Sequence, residues 1–179
     1  GYRDSIFKHE LSSKVIITKV VFALPKQWQA ITHYGELAGL KHPSAEDVYH
    51  KVVEIRQSKL PDPKLLGNAG SFFKNPIVTK SVLAKLKLHW PEIPNYEVSL
   101  DLVKVPAAWL IDILGFKGPS KGGIRCHPNQ PLVLTNTGQG TGQELLYLAR
   151  EIKQSVWQEF GIALENEVQL IAKQGRIHL

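Results

Sequence analysis

Gly67-Asn68-Ala69-Gly70-Ser71-Phe72-Phe73-Lys74-Asn75-Pro76 is the stretch on which the reading of this chain turns. Its small residues allow close backbone approach. Ser71 sets a hydroxyl beside them, Phe72 and Phe73 offer an anchor, and Lys74 and Asn75 supply polar contacts. Upstream, Leu60-Pro61-Asp62-Pro63 forces extended or turn geometry, because a residue preceding proline is pushed out of the helical region. Residues 61–76 hold three prolines and two glycines, so the stretch predicts a loop or linker able to contact a ligand. Taken alone, Ser71 reads as a turn or cap residue before a catalyst. No Gly-x-Ser-x-Gly elbow surrounds it, so a hydrolase nucleophile is not supported.

Outward from this stretch, Val15–Leu24 is β-branched and apolar and ends at Pro25, which predicts a buried strand. Tyr34-Gly35-Glu36-Leu37 predicts a loop. Ser44 predicts a helix N-cap ahead of Val48, Val52 and Ile55 on one face. Downstream, Thr79 predicts a second capped helix with Val82, Leu83, Leu86 and Trp90 inward. Leu100 and Leu102 alternate with Asp101 and Val103 as in a strand. Pro106 opens a short helix through Ala108, Ile111 and Leu114 that Gly115 stops, and Leu132–Leu134 reads as a buried strand. Thr141 and Glu144 have capping-box spacing before an amphipathic helix on Leu145, Ala149, Ile152, Val156 and Phe160, ended by Gly161. Ile162, Leu164, Val168 and Leu170 keep the even spacing of a final strand. The sum is an α+β chain in which helices and strands mix without strict alternation.

Bulk properties narrow the classes. The 179 residues are 43% hydrophobic and 21% charged, a globular composition. No apolar run reaches the ~20 residues of a membrane-spanning helix. Cys126 is the only cysteine, which excludes an internal disulfide and suits a reducing, cytoplasmic location. Gly1-Tyr2-Arg3-Asp4 shows neither an initiator methionine nor a signal-peptide pattern and reads as a fragment or a processed product. A net charge of +6 suits an anionic partner. The basic residues are dispersed and no zinc-finger or RNP motif occurs, so no nucleic-acid partner is expected. Seven histidines are scattered and Cys126-His127 has no second pair at ligand spacing, so no metal is expected.

Gly138-Gln139-Gly140-Thr141-Gly142 precedes a helix but lacks a Gly-Lys-Ser/Thr and the spacing of a dinucleotide fingerprint; it reads as a flexible turn. Gly122-Gly123 reads the same way. From residues alone the conclusion is a soluble α+β domain that binds an anionic ligand through a Gly/Pro-rich loop.

Five blocks carry a resemblance beyond that. Gly1-Tyr2-Arg3-Asp4-Ser5-Ile6-Phe7-Lys8, Tyr34-Gly35-Glu36-Leu37, Lys59–Lys64 running into residues 67–76, Pro106–Asp112 with Leu114–Gly118, and Leu164–Val168 resemble, in family order, the MurB family. These are flavin-dependent UDP-N-acetylenolpyruvoylglucosamine reductases of peptidoglycan synthesis. The YGEL block resembles the subtype that closes a tyrosine-bearing loop over the substrate. The resemblance covers the family's C-terminal part. It implies residues 1–57 as the remainder of a second FAD-binding domain, 58–163 as the substrate domain and 164–179 as a return strand to the FAD-binding domain.

The resemblance also implies the chemistry. NADPH reduces FAD, and the flavin then delivers hydride to C3 of the enolpyruvyl ether, leaving an enolate whose C2 must be protonated. Ser71 resembles the proton donor, Arg3 the residue that holds the substrate carboxylate, and Glu167 the acidic partner. A guanidinium suits a carboxylate by bidentate pairing. Glu167 stabilises an enol only as the protonated acid. Tyr34, Lys59, Asn75, Tyr96, Lys117 and Gln130 resemble residues placed around the uridine diphosphate of UDP-N-acetylglucosamine enolpyruvate. Pro119–Asn129 departs from the family pattern, with IRCH where smaller residues are usual. The flavin's Gly-rich pyrophosphate loop has no equivalent here, so the cofactor-binding residues are left open. The chain is then expected to be inactive alone and monomeric. A non-catalytic UDP-sugar-binding module is the alternative.

Overall fold

The computed structural model describes residues 3–33, 35–118 and 120–179. The chain divides into two compact units, Gly1–Ile55 and Arg56–Leu179.

In the first unit the described residues form two 3-10 turns, Ile6–Lys8 and Gly35–Gly39, and most of helix α1, Ala45–Lys59, which runs across the division. Ser44 caps α1 as its type predicts: its Oγ accepts the Asp47 N–H at 3.1 Å, and its own N–H donates to Asp47 Oδ2 at 2.8 Å. The expected strand over Val15–Leu24 does not form; the segment is irregular and exposed, with Ile16 at 88%. β-branched composition favours extended backbone, but a strand also needs a neighbour for its N–H and C=O groups. Among the described residues this unit contains no other strand.

The second unit carries nine short strands among its described residues: β1 Gly67–Ser71, β2 Ile77–Thr79, β3 Tyr96–Glu97, β4 Leu102–Lys104, β5 Ser120–Lys121, β6 Ile124–His127, β7 Gln130–Asn136, β8 Leu170–Ala172 and β9 Gly175–Ile177. Helices α2 Lys80–Lys87, α3 Ala107–Ile113 and α4 Gly142–Phe160 are interspersed. All strand pairings are antiparallel, in sheets ordered β1-β7-β6-β5, β2-β4-β3 and β8-β9. The chain is thus mixed helix and sheet, as α+β requires. No helix among the described residues is long and apolar enough to cross a membrane.

Helix ends follow local chemistry. Thr141 and Glu144 form a complete capping box, and Gly161 closes α4 in the left-handed region at φ +64. Leu148, Ala149, Ile152, Val156 and Phe160 of α4 enter a core shared with Leu110 and Ile111 of α3, Leu132 and Leu134 of β7, and Phe72 and Phe73. Thr79 caps α2, whose buried residues are Leu83 and Leu86, whereas Val82 is exposed. Three strand expectations change. Leu100 is 88% exposed and lies outside β4, whose inward residue is Val103. The even spacing after Ile162 yields an irregular stretch followed by the β8–β9 hairpin. Residues 67–71, expected as loop, form an edge strand on β7.

Candidate active site

β1 reaches Ser71 through a bulge. Asn68 pairs with Thr135 and Ser71 with Val133, so three steps on β1 match two on β7. Gly70 absorbs the extra residue at φ +73, a left-handed conformation that only glycine adopts without strain. Ser71 is half-buried at the end of the strand, and Phe72 and Phe73 behind it are buried, packed edge-to-face with ring centroids 4.9 Å apart.

The segment carrying Glu167 lies directly alongside. Phe73 and Asn166 form an antiparallel bridge; the Glu167 N–H donates to Phe72 O and the Lys74 N–H to Glu165 O, both at 2.8 Å. Asn166 Nδ2 closes the turn on Val168 O at 2.7 Å, and Lys74 Nζ pairs with Glu165 at 2.7 Å. Ser71 and Glu167 therefore sit on neighbouring backbones, Ser71 two residues before Phe73 and Glu167 one residue after Asn166. Arg3 belongs to the first unit, in a turn at φ +53 where its carbonyl accepts Lys8 Nζ at 2.6 Å. Tyr34 lies outside the described residues.

The remaining expected ligands have definite settings. Asn75 Oδ1 accepts the Ala107 N–H at 3.0 Å, holding the start of α3, so its free valence is the Nδ2 donor. Tyr96 is exposed on β3, opposite Lys104 of β4, whose ammonium stands 5.9 Å from the ring centroid. Lys104 pairs across to Ile77 of β2 as well, two residues after Asn75. Lys117 pairs with Asp112 at 3.3 Å. Gln130 opens β7 with a buried Oε1 that has no hydrogen-bond partner among the described residues. Lys59 is the exposed last residue of α1. Lys104 was not among the sequence candidates. Its proximity to Tyr96 is a cross-strand register, which leaves no local mark.

Two cavities flank β1. One of about 360 Å³ is lined by Ala69, Phe72, Leu145, Val168 and Leu170 among others, and one of about 500 Å³ by Arg56, Leu60, Pro61, Asn68 and Gly70 among others. Neither Ser71 nor Glu167 lines either, so the cavities adjoin the paired segments without containing their polar side chains.

The Gly-rich loop before α4 does not fit the pyrophosphate of a dinucleotide. Asn136 Oδ1 takes the N–H groups of Gly138 and Gly140 at 2.8 and 2.9 Å, and Glu144 Oε2 takes that of Thr141 at 2.7 Å. A cradle needs those amides free. Gly123 and Gly140 meet back to back: a Cβ on Gly123 would stand 2.2 Å from Gly140 N. Close backbone approach, rather than a ligand, explains both glycines.

Hydrogen bonds from the Thr141 backbone and then its side chain hold the Glu144 carboxyl below the 4.5 of an ordinary glutamate. A depressed folded-state value means that this contribution to stability is complete above the ordinary value and is lost as pH falls through the folded one. Urea midpoints measured from neutrality down to about pH 3 are expected to fall more steeply for the native chain than for Glu144→Gln. Parallel slopes would show that the box does not act through its charge. Burial pushes the Cys126 thiol up to about 12, as suits a small core residue and not a nucleophile. Among the described residues no group of three or more His, Cys, Asp or Glu could hold a metal ion.

The family described as UDP-N-acetylenolpyruvoylglucosamine reductase, C-terminal domain, matches residues 62–171. Proteins named UDP-N-acetylenolpyruvoylglucosamine reductase are similar throughout: that of Pseudoalteromonas atlantica is 61% identical over all of this chain and 52% of its own length. Those of Photobacterium profundum and Vibrio cholerae are 49% and 46% identical, over 96% and 100% of this chain and 50% and 52% of theirs. The chain spans about half the length of the curated relatives it matches.

Proposed function

Because the chain belongs to the UDP-N-acetylenolpyruvoylglucosamine reductase family, we propose that it supplies the substrate site and proton donor of a reductase acting on UDP-N-acetylglucosamine enolpyruvate in peptidoglycan synthesis. The observation that carries this reading is the pairing of the Ser71 and Glu167 segments through Phe72 and Phe73.

FAD, reduced in turn by NADPH, supplies the hydride to C3 of the enolpyruvyl double bond when bound; the loop before α4 is not a fitting pyrophosphate cradle, and the FAD site is assigned mostly outside this chain. What the chain's own residues do follows from the charge then left on the substrate. The former double-bond electrons spread over C2 and the carboxylate as an enolate. Ser71 gives its hydroxyl proton to C2, completing the saturated lactyl ether, and recovers a proton afterwards. Serine is a weak acid, so the transfer depends on placement and on neighbours that lower the cost of the developing anion. Protonated Glu167 and the cation Arg3 stabilise the enolate most where its charge is greatest, near the transition state. The Asn75 Nδ2 donor and the ammonium of Lys59 suit diphosphate oxygens, Tyr96 and Tyr34 offer rings for stacking, and Lys117 and Gln130 complete the nucleotide contacts.

In the whole cytoplasmic protein, residues 1–57 and 164–179 are assigned to a flavin-binding domain and 58–163 to the substrate domain. The exposed apolar run Val15–Leu24 supports the first assignment, since such a run implies neighbours to cover it. In this chain 164–179 stay with the second unit through the Phe73–Asn166 bridge. By itself the chain then behaves as a UDP-sugar-binding module without turnover, the second reading favoured by the occupied amides of the loop before α4. Purification separates these readings. The isolated chain is expected to be colourless and to bind the UDP-sugar in calorimetry, while the full-length protein is yellow and its reduced flavin is reoxidised by the enolpyruvyl substrate. Tight stoichiometric flavin on residues 1–179 would contradict the assignment, and full-length protein inert towards the substrate would remove the proposed activity.

A further inference from the structure

We propose that Asn68 is the positioning residue for Ser71, its side chain fixing the bulge that decides which way the serine faces. This rests on the reading of Ser71 as proton donor. Asn68 Nδ2 donates to Leu66 O at 2.8 Å and Pro61 O at 3.2 Å, and Oδ1 accepts the Gly70 N–H at 3.0 Å. One amide thus uses both of its N–H groups and its oxygen on three backbone groups. Two of these belong to the Pro61–Leu66 turn, itself closed by Asp62, whose carbonyl accepts the Leu65 and Leu66 N–H groups and whose Oδ1 accepts that of Lys64. The third belongs to the left-handed glycine of the bulge. Asn68 therefore ties the incoming turn to the one residue that β1 has in excess over β7.

The consequence for Ser71 is a matter of parity. Residues three apart in a regular strand point to opposite faces. Because of the bulge, Asn68 opposite Thr135 and Ser71 opposite Val133 share a face instead. Leu132 and Leu134, on the other face, belong to the hydrophobic core, together with Phe72, whose N–H donates to Leu132 O at 2.7 Å. If the same residues ran on as a regular strand without the bulge, Ser71 would stand opposite Leu132 and turn to its face, and Phe72 would turn away from it. Fixing the bulge keeps Ser71 on the face of Val133 and Thr135, and Phe72 on the face of Leu132 and Leu134.

The test uses full-length reductase carrying Asn68→Ala, Asn68→Asp, Ser71→Ala and the pair Asn68→Ala with Ser71→Ala. Asn68→Asp keeps the acceptor for Gly70 and loses both donors. Each Asn68 variant is expected to lower kcat about 10- to 100-fold while KM changes by less than about threefold, as for a misplaced reacting group. Asn68→Ala adds no further loss on the Ser71→Ala background, because a residue acting through Ser71 then has nothing to position. Hydrogen exchange, read without turnover, is expected to quicken at the Gly70 amide in Asn68→Ala and stay slow in Asn68→Asp. An additive loss on the Ser71→Ala background, unchanged kcat with only a lower Tm, or unchanged exchange at Gly70 in Asn68→Ala would each overturn the proposal. If Ser71→Ala itself turned over normally, the proton-donor reading would fall and this proposal with it. If Ser71→Ala is impaired while Asn68→Ala keeps kcat, the positioning role alone falls.

Discussion

Ser71→Ala in the full-length reductase is expected to slow reoxidation of the reduced flavin by the enolpyruvyl substrate by ~10²–10⁴-fold, the range that a positioned proton donor contributes. Reduction of the flavin by NADPH is expected to continue at the native rate, because the role proposed for Ser71 belongs to the other half-reaction. The two half-reactions are separable by rapid mixing with flavin absorbance as the signal. Loss of a hydroxyl from a half-buried strand end costs little packing, so a failure confined to the second half-reaction reports chemistry and not unfolding. Normal reoxidation in this variant would mean that C2 takes its proton from another group.

The largest effect on stability is expected at Phe73. Its ring is 1% exposed, packs edge-to-face on Phe72, and its backbone forms the bridge to Asn166. Phe73→Ala removes a buried ring that the surrounding core cannot wholly replace, for a cost of about 3–5 kcal/mol. Urea unfolding of the isolated chain, followed by tryptophan fluorescence, measures this. A loss under about 1 kcal/mol would place Phe73 among the surface residues that tolerate change, against its burial. Since the same residue joins the Ser71 and Glu167 segments, a destabilised but folded variant is also expected to lose substrate affinity.

Helix ends were legible because their chemistry is local. Thr141 with Glu144, Thr79 and Gly161 all act within a turn of where they stand and cap where their spacing places them, and Pro106 stands immediately before α3. Strands were harder. Val15–Leu24 has the composition of a buried strand and is exposed coil, while Gly67–Ser71 has the composition of a loop and is a strand. Pairing decides both: β7 lies beside the second segment, and among the described residues no strand lies beside the first. A helix satisfies its own backbone groups, whereas a strand depends on a partner that its own residues do not specify.

The candidate site divides the same way. Blocks such as Tyr2-Arg3-Asp4-Ser5 and Gly70–Pro76 carry the family resemblance, and the family match agrees with it. The commitments of individual side chains were not readable in advance: Asn75 to the start of α3, Lys117 to Asp112, and Asn136 to the loop amides. Asn68 carried a weak signal, since an Asn two residues before Gly is a common side-chain-to-backbone turn. That signal says that a turn can form, not what the turn will aim.

By itself, then, the sequence determined the family, the α+β class, the helix ends and the serine worth testing. Only the tertiary structure decided that residues 67–71 are a bulged strand, that Glu167 lies on the backbone next to Ser71, and that the Gly138, Gly140 and Thr141 amides of the loop before α4 are taken by side chains of the chain itself. The physical reason is range. Caps and motifs are written in consecutive residues, while register and hydrogen-bond partnership are settled between segments far apart in the chain, where one extra residue reverses the face of every side chain after it.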